Sequence, residues 1–521
     1  MPSLTGAYGF VRFLLQLRPF LAKPISIGAA ERYVRERMAA REASFLWMAE
    51  RAIYAQPQSP YRQLLTAAGI ESEDLRAMVR AEGVESTLAR LSRAGVYVTF
   101  DEFKGRKPAV RGSQTFSWRD ADFDNPLIGT QYHGRTGGTG GRPTRLKLHL
   151  DHVAQSAPNW AIWFAAHGWL GRPLLFWIPS YFAVNNRFLM GAKFGQPPVR
   201  RFSPLEDGPR QRSSSALREW LVRWATGFPT MEVVPLAEAW RVGEALVQLL
   251  DQGMQPCLNT SSSAAVRVAL AMMERGRSLG GVSFLLGGEP VTSDRRETIE
   301  ASGAKAVATY GFSEAGGVGV QCPQPRAADD VHLFLDAFAV IQRPLALADG
   351  STVGALLFAT LRPAASKVML NTEIGDHAVM ETRSCGCSLD RFGYLQHLHT
   401  IRSYEKLTGE GVTFVGADIF HLFEAVLPRR FGGTIFDYQL IEQYGGTGGL
   451  PHYDLLVSPE VGRLDERELL RVFFQELGRL RPTYRISARL WDEAAAVRVK
   501  RERPMLTPQG KVLPFRRMDG A

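Results

Sequence analysis

Apolar residues recur at helical spacing from the start of the chain to about Gly95. They do so through "ERYVRERMAAREASFLWMAERAIYAQ", "SPYRQLLTAAGI" and "EDLRAMVRAEGVESTLARLSRAG", with short breaks between them. Stripes of this period predict amphipathic helices. From about Asn125 the texture changes to short apolar runs bounded by glycine and proline: "RPLLFWIPSYF", "GVSFLLGGEP", "AKAVATYGFSE" and "GALLFATL". These predict buried strands, while "ALREWLVRWATGF" and "AEAWRVGEALVQLLDQG" between them predict helices. Such alternation argues for a parallel sheet covered by helices. Beyond about Arg402 a smaller unit is expected, with "GADIFHLFEAVLP" and "DERELLRVFFQEL" as helices and "TIFDYQLIEQ" and "HYDLLVSP" as paired strands. The expected class is α/β: a large N-terminal domain with helix-covered sheets and a small α+β C-terminal domain. Its segments are a helical region 1–120, a core 121–401 and a C-terminal domain 402–521.

The chain contains Gly-Gly-Thr-Gly-Gly twice, in "GRTGGTGGRPTRL" from Gly134 and in "YGGTGGLP" from Tyr444. The second copy joins two alternating strands, follows Glu442 and has no basic residue after it, so it reads as a hairpin turn. The first carries Thr136 and Thr139 as hydroxyl donors, with Arg135, Arg142, Arg145 and Lys147 nearby. Glycines let backbone N–H groups converge on an anion, and hydroxyls add donors. No Gly-Lys-Ser or Gly-Lys-Thr occurs, so this is not a Walker loop. On these residues alone, a phosphate loop and a plain flexible loop both stand.

Composition narrows the classes. With 521 residues, 45% hydrophobic and 22% charged, the chain is globular and long enough for two or three domains. Its net charge of +10 is spread without a lysine–arginine block, which suits phosphate-bearing small molecules or an acidic partner better than nucleic acid. No apolar run approaches the ~18 residues of a membrane span. Phe10, Phe13, Leu14 and Leu17 share a helix face that is expected to pack on its own domain, a basic amphipathic helix lying on a membrane surface being the other reading, and Arg12, Arg18 and Pro19 argue against a signal peptide. Four cysteines are too few for a disulfide scaffold, so the cytoplasm is the expected compartment.

Four further stretches carry chemistry: "LLGGEPVTSDRRETIEASGAKAVATYGFSEAGG", "LNTEIGDHAVM", "IRSYEKLTGEGVTF" and "LTPQGKVLPFRR". Taken in order with the first glycine loop, they resemble the adenylate-forming superfamily of acyl-CoA synthetases, and most of all its phenylacetate–CoA ligase branch. The resemblance runs from about Ser59 to Lys511. A rival reading of "GFSEA" as a hydrolase nucleophile elbow is disfavoured by Ala315 and by the glycine-rich stretch that follows.

The resemblance implies roles. Thr136, Gly138, Thr139, Gly141 and Thr144 match the family's phosphate loop, which has hydroxyl residues where this chain has Gly137 and Gly140. Gly288 and Glu289 match the segment lining adenine and ribose. Tyr310 would stack on adenine, Ser313 approach phosphate and Glu314 bind Mg²⁺. Asp376 would accept from the ribose hydroxyls, although Thr372, Glu373 and Ile374 replace the usual Tyr-Arg-Thr before it. Arg402 matches the arginine of the family's hinge and would contact ribose or phosphate, with Tyr404 and Glu405 in place of aspartates. Lys511 matches the lysine that the mobile C-terminal domain swings onto the carboxylate and α-phosphate. The catalytic set is Lys511, Glu314 and Thr139; substrate choice is expected around Trp177–Phe182 and Tyr310–Gly317.

Some members of that branch place Cys and His where this chain has Cys322, His332, Cys385 and Cys387. Three thiolates and an imidazole would form a closed, structural zinc site; reduced cysteines packed as small apolar residues are the other reading. Three function classes stay open. One is an acid–CoA ligase using ATP, Mg²⁺ and coenzyme A. Another delivers the acyl group to an acyl-carrier protein or an amine. The third is a non-catalytic nucleotide-binding relative.

Overall fold

The computed structural model describes residues 4–128, 132–135, 145–178, 186–204, 212–346, 352–403, 408–409, 412–413, 417–443, 452–480, 488, 491–492, 496–507 and 512–517. Among them, twelve strands form one sheet whose two halves obey different rules. In the first half Lys305–Phe312, Ser283–Leu286, Cys257–Thr260, Leu174–Trp177, Pro198–Ser203 and Met231–Val233 lie side by side and parallel. "LLFW" and "SFLL" are buried at every position, as strands covered on both faces must be. The helices Leu150–Ala166, Ala239–Asp251 and Ser262–Glu274 contribute buried residues to the same core.

The second half is antiparallel. It runs outward from Gly316–Val320 through Val331–Leu333, Gln396–Ser403, Thr372–Thr382 and Thr352–Thr360 to Phe338–Ala346. The expectation of a parallel neighbour for "GALLFATL" is therefore corrected: this strand, Thr352–Thr360, pairs antiparallel on both sides. The reason is connection length, because parallel strands need a crossover of a dozen or more residues. Only residues 347–351 separate it from the strand before it.

The early helices form a second core over these antiparallel strands, with Phe45, Leu65, Leu88 and Phe123 packed against Ala339, Leu357 and Leu370. The long stripe Ser72–Arg93 is broken at Gly83, whose φ of 79° no helical residue adopts. At the N-terminus, Phe13, Leu14 and Leu17 are buried as expected in the helix Leu4–Leu21; the side chain of Phe10 lies outside the described set. No helix among the described residues is long and apolar enough to cross a membrane.

A third core belongs to the C-terminal residues, with Phe423, Tyr438, Leu455, Phe473 and Phe515 packed together. Tyr438–Gln443 and His452–Val457 pair antiparallel, so the second glycine run does connect the two strands of a hairpin.

Candidate active site

The two halves of the sheet meet at the hairpin Lys305–Phe312 and Gly316–Val320, which carries "YGFSEAGG". Here the parallel order of the first half gives way to the antiparallel order of the second. Because strand turns back to strand with no helix following, the hydrolase-elbow geometry is absent here.

Tyr310 and Asp376 are brought together at this seam. The Tyr310 hydroxyl donates to Asp376 Oδ2 at 3.0 Å across 66 residues of chain. The register shift between Tyr310 and Gly311 marks a bulge beside the contact, a device that re-aims side chains next to sites. Ser313 is exposed at the hairpin tip, and Glu314 is buried and ion-paired with Lys104. Lys104 reaches in from just beyond the helical turn Phe100–Phe103, held by a capping box between Thr99 and Glu102. On the inner side, Trp160 packs within 3.1–3.4 Å of where a Gly317 side chain would begin, so any larger residue there would have to displace the indole by a few tenths of an ångström.

The residues replacing the family's Tyr-Arg-Thr have their own partners. Thr372 Oγ1 lies 2.6 Å from the Tyr61 hydroxyl, and Glu373 accepts from Arg343 Nε at 3.1 Å. They tie the antiparallel strand Thr372–Thr382 to the helical region and to Phe338–Ala346, the next strand but one. Arg402, two positions along the opposing strand from Thr400, donates from Nη1 to Asp329 Oδ2 at 2.7 Å, directly across from His377.

Glu289 is enclosed. Its carboxylate accepts from Ser263 N at 2.9 Å, Ser263 Oγ at 2.8 Å and Arg295 Nη1 at 3.0 Å. Arg295 in turn donates to Glu424 Oε1 through Nε at 3.0 Å and Nη2 at 2.6 Å. Burial alone would lower the Arg295 pKa, but Glu424 and then Glu289 raise it, so the guanidinium stays charged. Glu424 belongs to the C-terminal core segment Leu422–Val426, so this triad joins "GGE" to that unit. Glu424→Gln should cost about 1–3 kcal/mol by weakening a charge-assisted pair in a buried site, measurable as a lower midpoint in urea unfolding.

Thr136, Gly138, Thr139, Gly141 and Thr144 lie outside the described residues. Their flanking strands Tyr132–Arg135 and Arg145–Leu148 pair antiparallel, with Arg135 opposite Arg145. Lys511, Tyr404 and Glu405 also lie outside. On either side of Lys511, Leu506 and Val512 form an antiparallel bridge, and the buried Gln439 amide donates to Met505 O at 3.2 Å and Leu513 O at 2.8 Å.

Cys322, His332, Cys385 and Cys387 converge until their ligand atoms lie within 4.8 Å of one another. Cys322 Sγ is 3.8 Å from Cys385 Sγ, and His332 Nε2 is 3.4 Å from both Cys385 Sγ and Cys387 Sγ. Tetrahedral zinc with bonds of about 2.3 Å to sulfur and about 2.0 Å to nitrogen needs edges of about 3.8 Å and about 3.5 Å. The residues fit such an ion. His332 Nδ1 is 2.6 Å from Tyr394 O, which leaves Nε2 facing the thiols, as metal-binding imidazoles are arranged. The hydrogen bond from Cys322, and then that of His332, hold the Cys387 thiol down at about 4. The cluster joins the end of one hairpin strand, its neighbour Val331–Leu333 and the loop beyond Thr372–Thr382.

Of the stretch Trp177–Phe182, where substrate choice is expected, residues 179–182 lie outside the described residues; Trp177 is buried and donates to Val234 O at 3.1 Å, while Phe176 lines a small cavity. Lys104, Arg187 and Arg295 were not singled out by motif. They are lone basic residues whose partners come from distant segments, so spacing carries no signal for them.

No family model matches the chain, and no curated protein matches it. Among solved structures it is similar to a 2-hydroxyisobutyryl-CoA ligase in complex with 2-HIB-AMP and CoA, at 15% identity over 92% of this chain and 90% of that one, with a TM-score of 0.47. It is also similar to the anthranilate CoA ligase AuaEII in complex with anthranoyl-AMP, at 10% identity over 82% and 74% of the two chains, with a TM-score of 0.42. An ATP-bound RpMatB-BxBclM chimera gives 12% identity, 68% and 63% coverage and a TM-score of 0.41.

Proposed function

We propose that this protein activates a carboxylic acid with ATP, forming an acyl-adenylate and pyrophosphate, and then transfers the acyl group to the thiol of coenzyme A. The observation that carries this reading is the Tyr310–Asp376 contact, made where the parallel and antiparallel halves of the sheet meet. Two motifs far apart in sequence, assigned to adenine and ribose by resemblance alone, are in direct contact there.

In the first step a carboxylate oxygen of the acid forms a bond to the α-phosphorus of ATP, and the bond to the pyrophosphate oxygen breaks. In the second the thiol, losing its proton, attacks the acyl carbon and AMP leaves. Holding the reactants in line and neutralising phosphate charge are the protein's tasks. Tyr310 presents a ring to the base, and Asp376 presents a carboxylate to the ribose hydroxyls. The Thr136–Thr144 loop would contact phosphate, while Arg402, on the strand beside that of Asp376, is held by Asp329. Glu314 offers the hard oxygen that Mg²⁺ takes, and Lys104 holds that carboxylate in place. Bound there, Mg²⁺ would offset the charge of adjacent phosphates. The four Cys and His ligands hold zinc as a structural staple.

The test is carboxylate-dependent exchange of labelled pyrophosphate into ATP. Asp376→Ala should raise the KM for ATP about tenfold or more, since a charge-assisted hydrogen bond to ribose is lost, with a smaller change in the KM for the acid. Absence of exchange across a broad acid panel, in folded protein that binds ATP, would overturn the reading.

A further inference from the structure

The helix Leu4–Leu21 turns Phe13, Leu14 and Leu17 into the core, so its main apolar face is spent within the protein. Its outer face carries Leu15, 61% exposed, with the exposed Arg18 one turn further on. Packed beside it is the helix Arg212–Thr226. That helix buries Val222 and Ala225 and turns Trp220 and Trp224 outward, at 62% and 52% exposure. They are the most exposed of the chain's ten tryptophans. Four residues apart, they share a helix face. The Arg18 guanidinium lies 6.0 Å from the centre of the Trp224 ring, so the outer faces of the two helices meet.

Charge on this pair of helices is one-sided. They carry Arg12, Arg18, Arg212, Arg218 and Arg223 and a single acid, Glu219. Glu219 is ion-paired with the buried Arg201 and accepts from Met231 N at 3.2 Å. Arg223 is exposed beside Trp224, with Nη1 donating to Thr230 Oγ1 at 2.8 Å. No acidic residue precedes Glu31, and Lys23 adds an exposed cation just beyond the first helix. Exposed indoles beside arginines are complementary to an anionic interface, where tryptophan sits at headgroup depth and basic side chains gain from the surface potential. Size favours lipid over a protein partner. A tryptophan covers roughly 150–250 Å² when enclosed, so the exposed parts of Trp220 and Trp224 amount to roughly 170–290 Å² together. A standard protein interface takes about 800 Å² from each partner.

We propose that the outer faces of Leu4–Leu21 and Arg212–Thr226 dock this protein onto a bilayer surface that bears anionic lipids. Trp220 and Trp224 enter the headgroup layer, and Arg18 and Arg223 pair with lipid phosphates. Attachment is peripheral, since no helix among the described residues is long and apolar enough to cross a membrane. With so little apolar area and several cations, it is reversible and salt-sensitive. It stands apart from the adenylation reading, because neither helix supplies a residue assigned to the nucleotide.

The experiment sediments the full chain with vesicles of phosphatidylcholine alone and of phosphatidylcholine mixed with phosphatidylglycerol, at low and high salt. Binding should appear on the anionic vesicles, fall with salt and be nearly absent from phosphatidylcholine. Anionic vesicles with brominated acyl chains should quench part of the tryptophan fluorescence. Trp220→Ser combined with Trp224→Ser should remove most of that quenching and weaken binding about tenfold or more. Arg18→Gln and Arg223→Gln should each weaken it about fivefold and flatten its salt dependence. Should the paired serine variant fail to fold, Trp220→Ser alone carries the same test. Binding to anionic vesicles no stronger than to phosphatidylcholine, or unchanged in the tryptophan variants, would overturn the proposal. So would arginine-dependent binding without quenching, which any basic surface gives. Self-association that the serine variants abolish, with no vesicle binding, would overturn it in favour of a second copy of the chain on this face.

Discussion

Replacing Lys511 with alanine should lower acid-dependent pyrophosphate exchange by about 10²–10³-fold, with ATP affinity and thermal stability close to those of the native protein. In-line displacement at the α-phosphorus spreads negative charge over its oxygens, and a cation held there stabilises the transition state more than the ground state. The Leu506–Val512 bridge closes the chain around this residue, and Gln439 fastens both sides of the bridge to the C-terminal core. Transfer to coenzyme A from a supplied acyl-adenylate should be spared, because that half-reaction forms no bond to phosphorus. Measuring the two half-reactions separately checks the assignment. A change of less than about threefold in exchange would remove Lys511 from the chemistry.

Loss of the Cys322–His332–Cys385–Cys387 cluster should have the largest effect on stability. The purified protein should carry about one zinc per chain, and Cys385→Ser should abolish it and lower the melting temperature by roughly 10 °C. The cluster joins three segments on the antiparallel side of the seam, so its loss releases the neighbour of the hairpin that carries Tyr310 and Glu314. Burial raises the Cys385 thiol to about 11, and the hydrogen bond to Cys387 with burial raises Cys322. Thiols and imidazole must give up their protons to bind the ion, so zinc uptake should release protons and weaken as pH falls. Elemental analysis, proton release during titration and scanning calorimetry check this. A zinc-free native protein with an unaltered melting curve in Cys385→Ser would leave the cluster as packed thiols.

Much of the fold was legible in one dimension because burial on both faces leaves a mark there. "LLFW" and "SFLL" read as strands since every position is apolar, and "AEAWRVGEALVQLLDQG" as a helix since its stripe has one period. The direction of "GALLFATL" was not legible, because an apolar run looks the same whether its neighbours run with or against it; only the short connection before it decides. Trp177 and Phe176 show the same limit at one residue's scale: in a strand buried on both faces, composition does not say which side chain meets the cavity.

By itself, the order of the motifs determined the chemistry to look for: a glycine loop, "GGE", "YGFSE", "EIGD" and a late lysine are local patterns, each set by what a backbone turn or a phosphate requires. Tertiary structure decided which of those residues meet. It put Tyr310 on Asp376, enclosed Glu289 with Arg295, brought Lys104 to Glu314 and gathered the three cysteines around His332. Contacts between distant segments depend on how strands are ordered in the sheet. That order follows from the burial of many side chains at once, which no single stretch of chain encodes.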